Sequence, residues 1–374
     1  MNLKMTTLAV AALALTCMAG ARAQSGVTIY GLIDVGVDSA KAGGTHFTRV
    51  VSGGSLGSRL GFRGVEDLGG GLSAVFRLES GINVDTGSFA QGGLAFGREA
   101  TVGLASTKWG TVNFGRQSSP YNASLPWVDA FVWAGAGGLL GLSKSSTNTI
   151  QVLPLAVNGR PDNSVGWVSP SLGGLQFRVL FASGEKSATL GNTRGASARY
   201  TSGPIDAVAA YVKAQAGTAG TGALQATVVG GSYDFGPAKV YLGYTREQNN
   251  CSNCTGAYAR PPGLTGSNGA DSRLINFGVR VPVGTFTAIA QVVRIQDRAE
   301  YTVSPGNRDG LWLSVGAEYS LSKRTLLYAT AGSISNRNGS QYMPGAGSTQ
   351  AVAGLVPPGD PRATVIGAGV KHTF

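Results

Sequence analysis

Apolar and polar side chains alternate one by one through most of this chain, in runs of about ten residues joined by polar links. In Leu175-Gln176-Phe177-Arg178-Val179-Leu180-Phe181, one parity carries Leu175, Phe177, Val179 and Phe181; the other carries Gln176 and Arg178. Ile275, Phe277, Val279 and Val281 oppose Asn276, Gly278 and Arg280 in the same way. A period of two marks a strand with two unlike faces. The pattern predicts sixteen strands. The first seven are Val27–Ser39, Ser58–Glu66, Leu72–Ile82, Arg98–Thr107, Thr111–Gln117, Asn163–Ser169 and Leu175–Gly184. The next four are Ser197–Thr201, Ile205–Gln215, Leu224–Phe235 and Lys239–Glu247. Ser272–Val281, Thr285–Arg298, Leu311–Ser320, Thr325–Ser335 and Ala363–Phe374 complete the set. Seven links are tight and six of them contain Gly or Pro, among them Asp67–Gly71, Pro170–Gly174 and Pro282–Gly284. The eight others, alternating with them, are read as long. An even strand number with short and long links in turn is the pattern of a closed antiparallel membrane barrel. The predicted fold is therefore all-β, a 16-stranded antiparallel transmembrane β-barrel.

Composition agrees. Charged residues are 13% of the chain, against ~25% in soluble domains. Gly accounts for 58 of 374 residues, about twice the usual share, which suits turns and close backbones. Beyond the N-terminus no segment has the ~18 consecutive apolar residues of a spanning helix. In lipid, a strand protein satisfies its backbone only by closing. A strand charge facing mid-bilayer costs ~2–4 kcal/mol, so strand charges are expected to face the lumen. By parity these are Arg59, Arg63, Arg77, Arg178, Arg199, Lys213, Lys239, Arg280 and Lys371, with Asp34, Glu79 and Glu318, an excess of six positive charges. Trp109, Tyr233, Phe235, Phe286, Tyr319 and Phe374 sit beside short turns, where an interfacial girdle belongs.

The N-terminus reads as an export signal: Lys4, an apolar run from Leu8 to Met18, then Ala21-Arg22-Ala23 as a small-x-small cleavage site. Residues 1–23 are expected to be removed, leaving 24–374 as the barrel. The chain's net charge of +11 then becomes +9, because Lys4 and Arg22 leave with the signal. The basic residues are dispersed, without the block that a nucleic-acid partner requires. His46 and His372 lie far apart in sequence and the acidic residues show no ligand-like clustering. No catalytic residue, metal site or cofactor is expected. Cys251 and Cys254 sit in the sixth long link; an oxidising compartment favours a local disulfide, and two free thiols are the alternative.

Several segments, taken in order, resemble one family, the general porins of beta-proteobacteria in the Gram-negative outer-membrane porin superfamily. They are Val27-Thr28-Ile29-Tyr30-Gly31-Leu32-Ile33-Asp34, the stretch from Ser58 to Leu72, and Phe96-Gly97-Arg98-Glu99-Ala100. Trp109 to Gln117, Leu321-Ser322-Lys323-Arg324-Thr325 and the terminal Val370-Lys371-His372-Thr373-Phe374 follow. The resemblance covers essentially all of the mature chain. It implies a homotrimer in the outer membrane, in contact with its lipid and lipopolysaccharide. It implies assembly through machinery that reads the C-terminal strand ending in Phe374. Each barrel would pass small hydrophilic solutes and ions by passive diffusion, with weak anion selectivity. A substrate-specific channel with a saturable site is the alternative, and an adhesive role for the long loops a further one. The family's third long loop folds into the barrel; here that loop is Ser118–Asp162. By motif position Arg59, Arg98 and Arg160 match the basic wall of the constriction, and Asp129 matches a facing loop carboxylate. Strict alternation would set Arg98 beside Val102 and Leu104, towards lipid, unless a bulge or strand end turns it.

Overall fold

The computed structural model describes residues 26–132, 135–139, 142–144, 159–188, 190–218, 220–250, 270–298, 308–340, 342–345 and 362–374. The signal region 1–23, Cys251 and Cys254 lie outside them. Sixteen strands close into one antiparallel barrel. Its first half comprises β1 (Gly26–Ala42), β3 (Arg59–Gly69), β4 (Leu72–Asn83), β6 (Glu99–Ser106), β7 (Gly110–Arg116), β9 (Ser164–Val168), β10 (Leu175–Ala182) and β11 (Leu190–Ser202). The second half comprises β12 (Ile205–Ala216), β13 (Ala223–Asp234), β14 (Lys239–Asn249), β15 (Ala270–Val283), β16 (Phe286–Asp297), β17 (Arg308–Ser320), β18 (Thr325–Arg337) and β20 (Arg362–Thr373). β2 (Thr45–Ser52) and β5 (Ser88–Phe89) extend the same sheet, and β8 (Leu142–Lys144) pairs with β19 (Tyr342–Pro344) in a separate two-stranded sheet. Closure comes from β20 on β1, in register from Leu32↔Thr373 to Ala42↔Ala363. The last residue completes the seam: Phe374 and Gly31 exchange backbone hydrogen bonds of 3.1 Å in both directions. Closure joins the first and last strands, as a strand protein in lipid requires.

Each of the sixteen expected strands has its counterpart, with two corrections. The link after the first strand is not long. Ala42 pairs with Thr45 across a Gly43-Gly44 turn, and β2 runs back down the wall from there, paired with β1 as far as Val35↔Ser52. A Gly-Gly pair between strand-like runs is a tight hairpin signal, hidden here by the surrounding small residues. The chain then leaves the sheet at 53–58 before β3 begins. The second correction is β11, which spans 13 residues rather than the five of Ser197–Thr201. Polar Asn192, Thr193 and Arg194 break the alternation in its outer half.

Large apolar side chains lie on the outside, as bilayer exposure requires: Val102, Phe177, Phe181, Leu242, Phe277 and Val315 are all exposed. The inner face is not uniformly wet. On the extracellular half of β12, β13 and β15–β18, the inward positions hold Val208, Ala210, Val212, Leu224, Val228, Leu274, Val293, Ile295, Trp312 and Ile334. The link after β7 covers this apolar strip, which confirms that it folds inward. Helix α1 (Pro120–Ser124) starts with Pro120 at its first position, and Ser119 accepts from Asn122 N at 3.3 Å as the cap. A 3-10 turn, Leu125–Val128, follows. Tyr121, Leu125 and Val128 are fully buried against the strip, each stabilising the docked loop by roughly 1.5–3 kcal/mol. Polar ties finish the fit: Asn276 Nδ2 donates to Val128 O (2.6 Å), Gln291 Oε1 accepts from Ala130 N (3.0 Å), and Arg280 Nη1 donates to Ala130 O (2.8 Å).

Glycines on the wall make room for the loop. A Cβ at Gly278 would lie 2.6 Å from the Ala130 methyl, and one at Gly243 2.9 Å from Val128. Gly278→Leu is therefore expected to lift the loop while leaving the barrel intact. Single-channel conductance should rise and become noisier, with normal heat-resistant migration of the folded barrel; unchanged conductance would show that the loop does not rest there.

Candidate functional site

The register sets Tyr30 opposite Gly61, Gly61 opposite Glu79, and Glu79 opposite Glu99, one inward row across β1, β3, β4 and β6. Gly61 carries no side chain, so the Tyr30 ring lies over it and its hydroxyl donates to Glu79 Oε2 at 2.9 Å. The other Glu79 oxygen takes Arg98 Nε at 2.6 Å. Arg98 stands just before β6, so strand parity does not bind it; the strand end turns it inward. Arg59, the first residue of β3, donates Nε to Gly57 O at 3.0 Å and stands in the field of Arg98 and Glu79. Arg160, on the returning end of the loop, joins Arg98, Glu79, Arg116 and Arg59. Burial first, then Arg98, lowers its pKa to about 9, so it stays cationic at neutral pH.

The structure thus brings Arg59, Arg98 and Arg160 together around Glu79. Arg77 extends the cluster through Glu99 (3.2 Å), and Arg63 lies 5.5 Å above the Tyr30 ring. Arg178 lies in the field of Glu99, Arg199 and Arg77. Arg199 pairs with Asp206 through two bonds of 2.8 and 2.5 Å and stacks 3.3 Å from the ring centre of Trp127 on the loop. Lys239 opens β14 beside the Gly236-Pro237 turn, 5.6 Å from the Tyr241 ring.

Asp129 does not face this cluster, against expectation. It is fully buried. One oxygen accepts from Phe131 N (2.9 Å) and Gln291 Nε2 (3.0 Å), the other from Leu139 N (2.7 Å). The loop folds around this carboxylate, so it ties the loop tip to the wall and does not line the opening. Asp34 is likewise buried, accepting from Ser55 N (2.9 Å), Leu56 N (2.6 Å) and Tyr328 Oη (2.7 Å). It holds the excursion at 53–58 over the inner wall, where Lys371 Nζ reaches Ser55 Oγ at 3.3 Å. Arg280 divides itself between the loop and Glu318 (2.5 Å).

Two members of the cluster were not expected. Arg116 ends β7 after Gly115, whose φ of +118° lets the strand turn; it binds Gly97 O and Asp162, both at 2.8 Å. Glu99 follows Arg98 directly, and its inward parity was a legible signal. A further inward carboxylate, Glu247, is buried and accepts from Tyr121 Oη at 2.9 Å beneath the loop. The apolar residues on both parities of β12 and β13 were the signal for such a covered wall. Lys213 is corrected outright: it pairs with Arg194 on the outward face. With Lys213 gone, and with Asp38, Glu99, Asp206, Glu247 and Asp297 inward against Arg49 and Arg308, the lumen excess is smaller than six. It remains positive at the cluster, where Arg59, Arg77, Arg98, Arg116 and Arg160 face Glu79, Glu99 and Asp162.

A closed membrane barrel, narrowed by its own loop beside a charged wall, defines a diffusion pore. Residues 9–339 match the family model for Gram-negative porins. An outer membrane porin protein of Bordetella pertussis is 31% identical, the match covering 98% of this chain and 99% of that one. Outer membrane porin protein 32 of Delftia acidovorans is 29% identical over 97% and 98%. Among solved structures, an anion-selective porin from Comamonas acidovorans superposes with a TM-score of 0.76, at 26% identity over 94% of this chain and 100% of that one. OmpT of Vibrio cholerae in a trimer form gives 0.63 at 14% identity, over 94% and 99%, a likeness of fold alone. The chain belongs to the Gram-negative porin family: it is a non-enzymatic channel of the outer membrane.

Proposed function

We propose that this porin is a weakly anion-selective pore for small hydrophilic solutes, and that Arg59, Arg98 and Arg160 set its selectivity. The arginine surplus around Glu79, beside the inward loop, carries the reading. Charged rings in a pore act on passing ions through their field. The anion selectivity of the Comamonas porin supports the same sign. Screening over ~8–10 Å at 0.1–0.15 M salt keeps the preference modest. In a planar bilayer under a tenfold KCl gradient, the zero-current potential is expected to have the sign of chloride preference and to shrink as both salt concentrations rise. A potassium preference in wild type would sink the reading.

The proposal extends to the mature assembly. Residues 1–23 are removed on export, and the assembly machinery reads the C-terminal strand through Phe374, whose backbone bonds to Gly31 support that part. The barrels associate as homotrimers. Short β6, β7 and β9, of 8, 7 and 5 residues, give a low wall on one side. Its outward residues, including Val102, Leu104, Phe114 and Val165, are apolar and exposed, which suits a subunit contact.

A further inference from the structure

Helix α1 and the 3-10 turn after it dock with Tyr121, Leu125 and Val128 fully buried. Trp127, in the same turn, is left out of that contact and keeps 37% of its surface open. The loop lies inside the barrel, so this open surface faces the lumen. An exposed indole forgoes the burial that its neighbours gain. Its ring is held by the Arg199 guanidinium, 3.3 Å from the ring centre, a cation–π contact. Asp206 fixes that guanidinium in turn with bonds of 2.8 and 2.5 Å.

Opposed residues in an antiparallel ladder share a face, so the register shows what surrounds the indole. The inward row through Arg178 holds Val168 on β9 and Ser197 on β11. The next inward row, two residues nearer the short turns, holds Gln176, Arg199 and Val208. Arg178 and Arg199 are therefore diagonal neighbours, about 7–8 Å apart, with the two valines flanking them. Strand β10 starts at Leu175, directly after the Pro170–Gly174 turn. The group thus lies between the constriction and the short-turn mouth of the barrel.

Charge at this level is not balanced. Arg77 holds Glu99 at 3.2 Å, and Arg199 holds Asp206. Arg178 stands in the field of Glu99, Arg199 and Arg77. It is exposed, and its side chain has no hydrogen-bond or ion-pair partner among the described residues. An unpaired guanidinium beside an open indole, over a floor of valine, suits a solute that is planar and apolar at one end and anionic at the other. A simple anion uses Arg178 and gains nothing from the indole. An uncharged ring gains nothing from Arg178.

We infer that this corner of the lumen is a binding subsite for aryl carboxylates. The carboxylate meets Arg178 through charge-assisted hydrogen bonds, and the ring packs against Trp127. The subsite makes passage saturable for that class of solute, while other small solutes pass by diffusion. The inference rests on the channel, which family membership establishes, and not on the chloride preference proposed above.

The test is a planar-bilayer titration. Benzoate, cyclohexanecarboxylate or acetate is added to both sides of the reconstituted pore in KCl, and the fall in single-channel current is followed against concentration. All three anions carry the same charge, and the first two are alike in size. Benzoate is expected to reach half of its saturating block at about a fivefold lower concentration than cyclohexanecarboxylate, the advantage that one aromatic pair supplies. Acetate should need the highest concentration. Trp127→Leu should erase the benzoate advantage, and Trp127→Phe should keep most of it. Arg178→Gln should raise the half-blocking concentration of all three anions on the order of tenfold, and Arg178→Lys by much less. Equal block by benzoate and cyclohexanecarboxylate in wild type would overturn the subsite without any variant. So would a block that grows without saturating, or one unchanged by Arg178→Gln. A benzoate advantage intact in Trp127→Leu would also overturn it and leave Trp127 as an anchor of the loop alone. A potassium preference of wild type refutes the selectivity reading only, and these titrations then still decide the subsite.

Discussion

Asp129→Ala is expected to detach the tip of the constriction loop and widen the pore without unfolding the barrel. The carboxylate satisfies Phe131 N, Leu139 N and Gln291 Nε2 in a fully buried setting. Each buried donor left unmade costs about 1–3 kcal/mol, so the loss at the tip is several kcal/mol. Docking of α1 does not depend on it. Tyr121, Leu125 and Val128 together contribute roughly 5–9 kcal/mol of apolar burial and remain seated. The expected product is thus a half-released loop: residues near 129–139 free, the helix still on the wall. Single-channel conductance should increase, larger uncharged sugars should permeate faster in liposome swelling, and a protease should cut the loop in the folded barrel. Asp129→Asn keeps one acceptor oxygen and should show a milder form of each change. If Asp129→Ala changes only ion selectivity, with conductance and protease resistance unaltered, the carboxylate faces the lumen after all.

Replacing Arg59, Arg98 and Arg160 together by Gln is expected to reverse the sign of the zero-current potential. The change removes three positive charges where the surplus over Glu79, Glu99 and Asp162 is only two, so the local balance becomes negative. Arg98 matters twice, because its bond to Glu79 at 2.6 Å is also lost and the carboxylate is then exposed to passing cations. The ceiling is about 60 mV for a tenfold gradient, from ~2.3 kcal/mol per 100 mV per charge, and the wet lumen should hold the shift to a fraction of it. Single Arg→Gln changes should each move the potential the same way by less, with Arg160 testing whether the returning loop contributes. A triple variant that keeps the wild-type potential would place the selectivity filter elsewhere, with Arg178 and Arg199 as the next candidates.

These two experiments separate roles that the sequence pattern merged. Alternation assigns a side chain to a face, and it treats every inward charge as a lumen charge. Asp34, Asp129 and Glu247 show why that fails. Each stands where a segment of chain crosses the inner wall and serves a donor across that contact: backbone N–H groups and the Tyr328 hydroxyl for Asp34, the Tyr121 hydroxyl for Glu247, and the Gln291 amide for Asp129. The partner of Asp129 on the wall, Gln291, is 162 residues away. No local pattern reports such a contact. The outward cations expose the converse error. Keeping charges off the lipid face holds at mid-bilayer, but it lapses at the strand ends, where Lys213, Arg294 and Arg337 stand at headgroup level.

By itself the sequence determined the barrel. Sixteen strands, most of their faces and the tight turns on one side are written in short-range periodicity. The bilayer lets a strand protein satisfy its backbone in only one way, which makes that local signal sufficient. The tertiary structure alone decided what narrows the barrel and with which residues. The loop lands where β12–β18 turn an apolar strip inward and where Gly243 and Gly278 leave room for it. Arg98 points into the lumen because β6 begins one residue later. Arg160 joins Arg59 because the loop returns to the wall where it left. The landing of the loop and the return of Arg160 are set by packing between segments far apart in the chain, and burial of that strip, rather than any local preference, supplies the free energy for them.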